Sequence, residues 1–298
     1  MKSKTPALLA ALGANLIYSL NYVVAKGIMP DYLQPRAIIL LRVLGATAIF
    51  WLISVFTRKD VIKSKDLALI ALASIFGVTI NQILFFEGLN LSTPINASII
   101  MVTVPIAVLF FSRIIRKEAL SWIKILGIAL GTTGAVLLIM NRGRFDFSSG
   151  TALGNLLIVV NASSYALYLV LIRPMMLKYH PIAVMKWVFL FGNLTVIPFT
   201  FQIALNSDWG SIPSNIWLSI SYVIVFTTVM AYFLNNYSLQ RISPTTNSAF
   251  IYLQPFFTAF VAILLGKDHL SWHMLLPALL IFGGVYLISR TRKAKLSI

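Results

Sequence analysis

Residues 91–140, LSTPINASIIMVTVPIAVLFFSRIIRKEALSWIKILGIALGTTGAVLLIM, return at 241–290 as RISPTTNSAFIYLQPFFTAFVAILLGKDHLSWHMLLPALLIFGGVYLISR. With an ungapped offset of 150, Pro94, Ser98, Pro105, Leu120, Ser121, Trp122 and Gly134 fall on Pro244, Ser248, Pro255, Leu270, Ser271, Trp272 and Gly284. Two prolines and a tryptophan among these matches exceed what apolar composition alone produces. A period of this kind fixes architecture before any local feature does, and it divides the chain into two units. The expected boundaries are 1–141 for the first repeat, 142–150 for a connecting loop, 151–290 for the second repeat and 291–298 for a basic tail.

Composition sets the solvent. The chain is 59% hydrophobic and 11% charged, with a mean hydropathy of +0.88, against roughly 45–50% apolar and about 25% charged in soluble domains. This is the composition of an integral membrane protein. Its formal charge of +16 is scattered through short breaks between apolar runs rather than gathered in one basic domain, which argues against nucleic acid and for a loop-charge bias. There is no cysteine, and the histidines His180, His269 and His273 have no ligand spacing, so no metal or cofactor is expected. Lys2 and Lys4 before an apolar run resemble a secretory leader, but the repeat needs that run as its first helix. No nucleophile, base and orienting group occur together, so no enzyme is expected.

With about 20 residues per span as the yardstick, ten transmembrane helices are predicted near 7–26, 37–57, 67–89, 95–112, 121–140, 152–172, 182–204, 214–235, 245–265 and 271–289. Sixteen Lys and Arg residues fall on the side of the termini and five on the other, while Arg42, Lys124 and Lys186 lie within spans. That asymmetry predicts a cytoplasmic-membrane protein with both termini cytoplasmic. Five spans per repeat force the second copy to enter from the opposite face. The loops agree: 58–66 carries four basic residues and its counterpart at 206–215 none. The predicted fold is therefore all-α, with two inverted five-helix repeats around a central cavity, a plan suited to alternating access.

Polar residues inside the spans mark the expected cavity. Asn15, Tyr18 and Tyr22 share a face of the first span, with Asn21 close by; Asn161, Ser164, Tyr165 and Tyr168 occupy the sixth. The third supplies Thr79, Asn81 and Gln82, and the eighth Thr228, Tyr232, Asn235 and Asn236. The fourth and ninth add Asn96, Ser98 and Thr103, then Asn247, Ser248, Tyr252 and Gln254. Each also has a bland role as interhelical glue or interfacial anchor. Together, amides, hydroxyls and aromatics with few charges suit a small, moderately polar or zwitterionic solute.

Three charged residues have expected gating roles. Glu87 is the only acid within a predicted span and is expected to pair with Arg42 or Lys26, with proton coupling through Glu87 as the alternative. Lys186 is expected either to snorkel to the interface or to meet an anionic group of the solute. Pro105 and Pro255 interrupt equivalent helices and mark a hinge or central site. Gly127, Gly131 and Gly134, with Gly283 and Gly284, offer close helix contact as a scaffold or a dimer face; the oligomeric state stays open.

The small-residue entry at Pro94–Ser98, the mid-helix Pro105, Arg116–Glu118 and Gly127–Gly134, repeated as Pro244–Ser248, Pro255, Lys267–Asp268 and Gly283–Gly284, resemble the EamA-type family of the drug/metabolite transporter superfamily. Arg42 also stands where many members carry an arginine. The resemblance covers nearly the whole chain. It implies a ten-helix basket and export of metabolites such as amino acids. Small multidrug exporters of the superfamily use a first-helix glutamate that this chain lacks. The alternatives are a broad drug or amphiphile exporter and, outside transport, a membrane assembly or sensor protein. The halves differ where Glu87 aligns with Tyr237, and Asn81 and Gln82 with Ala231 and Tyr232; substrate choice is expected there.

Overall fold

The computed structural model describes residues 4–57, 60–119, 121–140, 148–264 and 274–290. The loop at 142–147, the second Leu-Ser-Trp at 270–272, Lys267, Asp268 and the tail at 291–298 lie outside them. Among the described residues every regular element is a helix, as a lipid solvent requires of a chain that must satisfy every backbone polar group internally.

The first half runs α1 (Thr5–Lys26), α2 (Pro35–Val55), α3 (Ser64–Ser74), a π-helical segment at Ile75–Ile80, α4 (Asn81–Leu91), α5 (Pro94–Met101), α6 (Val104–Arg116) and α7 (Trp122–Met140). The second runs α8 (Ser149–Lys178), α9 (Pro181–Leu205), α10 (Ser214–Tyr222), a π-helical segment at Val223–Met230, α11 (Ala231–Ser238), α12 (Pro244–Ala249), a 3₁₀ turn at Phe250–Leu253, α13 (Gln254–Leu264) and α14 (Leu275–Arg290). Eight of the described helical segments are long and apolar enough to cross a membrane, and Leu275–Arg290 is a shorter apolar helix. The chain is thus a multi-pass membrane protein. The ninth expected span is absent as one continuous helix because the 3₁₀ turn before Pro255 divides it.

Local chemistry sets the helix starts. Pro35, Pro94, Pro181 and Pro244 open α2, α5, α9 and α12, where a fixed φ and a missing N–H carry no penalty. Thr93 and Ser243, 150 residues apart, cap α5 and α12 by accepting from the backbone N–H of Asn96 and Thr246 at 3.0 and 3.1 Å. Pro105 and Pro255 sit in the first turn of α6 and α13, immediately after each interruption.

α2 packs along α9, α4 along α8, and α1 along α11, so the interior is built mostly from pairs that join the two halves. α7 and α14 pair with each other. A Cβ on Gly284 would stand 2.5 Å from the Gly127 carbonyl oxygen, and one on Gly134 2.7 Å from that of Pro277; Gly283 faces open space. Gly127, Gly131, Gly134 and Gly284 therefore serve contacts within the chain, and the dimer-face reading does not fit where they point.

Candidate functional site

A cavity of about 70 Å³ lies between the halves, room for on the order of five waters. Its wall takes Tyr18, Asn21 and Tyr22 from α1, Arg42 from α2, Asn81, Gln82, Phe85 and Phe86 from α4, and Met101 from α5. From the other half come Asn161 and Tyr165 on α8, Thr227 and Tyr232 on either side of the junction leading into α11, and Ile251 and Gln254 at the broken ninth span.

Part of this wall is locked. Tyr232 donates its hydroxyl toward the Gly77 carbonyl at 3.0 Å and lies 3.1 Å from Asn81 Oδ1. Gly77 belongs to the π segment, and a Cβ there would stand 2.2 Å from the Tyr168 ring, so the backbone approaches closely only because no side chain intervenes. Tyr22 donates to Gln254 Oε1 at 3.1 Å, and Gln254 Nε2 donates to Asn15 Oδ1 at 2.8 Å, tying α1 to α13. Tyr18 and Tyr232 meet edge to face, with centroids 6.3 Å apart.

The rest of the wall is polar and unsatisfied. Tyr18 Oη, Asn21 Oδ1, both side-chain polar atoms of Gln82, Asn161 Oδ1 and Thr227 Oγ1 are buried without a hydrogen-bond partner. Tyr18 lies near the Tyr165 hydroxyl, and Gln82 near that of Tyr232, but neither pair closes to bonding geometry. An orphaned buried polar group costs about 1–3 kcal/mol, so such a convergence in one cavity points to a polar occupant.

Tyr18, Tyr22, Asn81, Gln82, Tyr165 and Tyr232 thus meet as expected of a common surface, and Arg42, expected at a gate, stands among them. Other expected residues lie behind the wall. Asn15 holds Gln254, Asn236 accepts from the fully buried Tyr168 at 2.9 Å, and Thr228 accepts from Arg42 Nε at 2.8 Å. Thr79 is 2.5 Å from Thr195 on α9, and Ser248 donates within its own helix to Thr245. Tyr252 meets Thr132 of α7 at 2.9 Å, turned there by the 3₁₀ segment. Ser98 lines a second, more apolar cavity of about 230 Å³ with Tyr22, Val23, Ile95, Ile139 and Pro255. Phe85, Phe86, Met101 and Ile251 complete the central wall and carry no polar signal in the sequence.

The charged residues are arranged differently from expectation. Glu87 accepts from Arg36 Nε at 2.6 Å, in place of Arg42 or Lys26, and is absent from the cavity wall. The reason is reach: Arg36 in the first turn of α2 lies at the level of the last turn of α4, whereas Arg42 stands almost two turns deeper and stacks over Phe86 at 4.5 Å. Lys26 donates to the carbonyls of Leu89, Asn90 and Ser92 at 3.0, 2.8 and 3.2 Å. Lys186 lies over the Trp51 ring at 4.9 Å. Asp66, expected in a polar break, is buried in the first turn of α3 and accepts from Lys178 and from the Tyr179 hydroxyl.

The sequence profile of the EamA-like transporter family matches residues 5–140 and again 152–290. An uncharacterized transporter of Archaeoglobus fulgidus is 29% identical over 293 residues, covering 96% of this chain and 98% of that protein. The uncharacterized transporter YyaM of Bacillus subtilis is 25% identical, covering 91% and 90%. One crystal structure shares the fold with a TM-score of 0.76 at 17% identity, over 96% of this chain and 98% of the other. With a cavity walled by both halves and two family matches that span nearly the whole sequence, the chain belongs to the EamA-like transporters of the drug/metabolite transporter superfamily and is itself a membrane transporter.

Proposed function

We propose that this protein exports small metabolites, amino acids foremost, by alternating access between two inverted five-helix repeats. In this reading 1–141 and 151–290 are the repeats, ten spans form the basket, and the protein sits in the cytoplasmic membrane with both termini inside. Its partners are a small-molecule solute and the lipid bilayer. The observation that carries the reading is the central cavity, whose unsatisfied hydroxyl and amide groups come from both halves while, among the described residues, no acidic one lines it. Opposed loop charges support the inversion. Glu87, held by Arg36 off the cavity wall, is assigned no proton-carrying role. Pro105 and Pro255, beside the breaks in the fourth and ninth spans, are assigned as hinges.

A second reading, export of amphiphiles, is favoured by the larger apolar cavity that shares Tyr22 with the central one. Counterflow in proteoliposomes with a panel of labelled amino acids, with and without a pH gradient, separates the two. Saturable exchange of at least one amino acid is expected. No saturable exchange of any would overturn the first reading, and flux of hydrophobic dyes alone would select the second.

A further inference from the structure

The most demanding group in the membrane interior is Arg42. Only 4% exposed, it lies about 10 Å along α2 from the start of the helix at 1.5 Å per residue. Its Nε is committed to Thr228 Oγ1 at 2.8 Å. Thr228 in turn donates its own proton to the Val223 carbonyl, five residues back across the π segment, so its lone pair is aimed at the arginine. Phe86 covers one guanidinium face at 4.5 Å. Three features of the fold thereby hold the group in one orientation on the cavity wall. The ion pairs among the described residues join Arg36 with Glu87, Arg116 and Lys124 with Glu118, and Lys178 with Asp66; none includes Arg42.

A buried cation without a carboxylate is strongly unfavourable unless a bound anion completes it. The terminal nitrogens of a guanidinium form a fork that matches a carboxylate in two parallel bonds. Among the described residues no second Lys or Arg lines the cavity, which argues against a dianionic phosphate.

The opposite need stands on the same wall. Asn161 commits its amide nitrogen to the Asn81 carbonyl at 2.6 Å, so the orphaned atom is its oxygen, an acceptor waiting for a donor. Asn21 Oδ1 and Gln82 Oε1 are orphaned acceptors too. Neutral oxygens and the tyrosine faces can hold an ammonium group without an acidic counter-ion.

Resting on the reading above, we infer that Arg42 is the specificity-determining anchor for the solute's carboxylate, and that Asn161, with Asn21 and Gln82, receives its ammonium group. The transported species is the zwitterion.

The test uses wild-type proteoliposomes exchanging labelled leucine and labelled phenylalanine, with the matching amides and deamino acids as competitors: leucinamide, phenylalaninamide, 4-methylpentanoate and 3-phenylpropionate. Each competitor lacks one charged group and is expected to compete about tenfold less well, the loss of one charge-assisted contact. Arg42→Gln is expected to raise the KM for leucine about tenfold or more, with Arg42→Lys intermediate, since a point charge lacks the fork. Arg42→Gln gives up the bond to Thr228 and the contact with Phe86 but also removes a buried charge that no carboxylate offsets, and with these opposed it is expected to keep the thermal stability of the wild type in detergent. Amides that compete as well as the parent amino acids, or leucine exchange unchanged in Arg42→Gln, would overturn the inference while leaving amino-acid transport standing. Absence of exchange for both amino acids in the wild type would instead remove the reading on which it rests. Should Arg42→Gln fail to fold, competition in the wild type still decides.

Discussion

Arg42 and Lys186 occupy the second helix of each half within a turn of equivalent positions, seven residues after Pro35 and five after Pro181, and they do different things. Arg42 is clamped by Thr228 and Phe86 on the cavity wall; Lys186 rests over Trp51, away from it. Lys26 and Arg173, by contrast, are near-equivalents with the same task. Lys26 binds the Ser92 carbonyl and Arg173 that of Ile242, each clipping a helix end to the turn where the next broken span begins. The caps Thr93 and Ser243 and the two π segments are likewise duplicated. The clips, caps and π segments are kept in both copies, and on the cavity wall Tyr18 and Tyr165 correspond at the same offset as the clips while Arg42 has no counterpart. The difference between the halves is concentrated in that one charge.

Overpacking the scaffold should have the largest effect. Gly284→Leu drives a side chain into the Gly127 carbonyl and the backbone of Gly131, and is expected to lose about 3 kcal/mol or more, seen as failure to purify as a monodisperse species. The neighbouring Gly283→Leu, facing open space, should be tolerated in the same assay.

Arg173→Ala comes next, because it leaves a carbonyl without its donor beside a buried site; a loss of about 1–3 kcal/mol should appear as a lower melting temperature in detergent. Lys26→Ala should fall short of it, since Lys26 is partly exposed where Arg173 is buried, and water can more readily take its place on the carbonyls. Equal losses would mean that the two clips are energetically as well as geometrically equivalent.

Tyr232→Phe removes the contacts to Gly77 and Asn81 and should lower stability by about 1 kcal/mol while raising the KM for solute. Smallest of all, Glu87→Gln breaks a pair with Arg36 whose side chains are 24% and 41% exposed, worth about 0–1 kcal/mol. Gradient-driven uptake in proteoliposomes should be unchanged. A gradient response lost only in Glu87→Gln would restore the proton-carrying alternative.

Much of this scaffold is legible in apolar runs and repeated residues. Pro105 and Pro255 mark breaks that are present at both places, because an imide nitrogen cannot continue the hydrogen-bond ladder. The π segments carry no such signature, so their consequences are not legible either. Thr79 lies inside the first of them, where the wider turn departs from the roughly 100° per residue that would set it beside Gln82, and it meets Thr195 instead. Tyr252 leaves the wall at the 3₁₀ turn for a similar reason. Asp66 reads as a loop residue by hydropathy, since its burial depends on Lys178 and Tyr179, more than a hundred positions away. Arg42 reads as buried from its place in an apolar run but its partner does not, because spacing along two helices does not report which turn of one faces which turn of the other.

Alternating access requires a cavity between the halves that opens to each face in turn. Because the native chain has no cysteine, a single one placed on the wall reports without background, and Thr227→Cys is close to isosteric. Its labelling by a membrane-impermeant thiol reagent should be measured in sealed vesicles of both orientations, with Ser248→Cys, packed and bonded within its helix, as the silent control. Thr227→Cys should be reached from either face and be protected by leucine. Labelling from one face only under every condition, or from neither, would contradict alternating access.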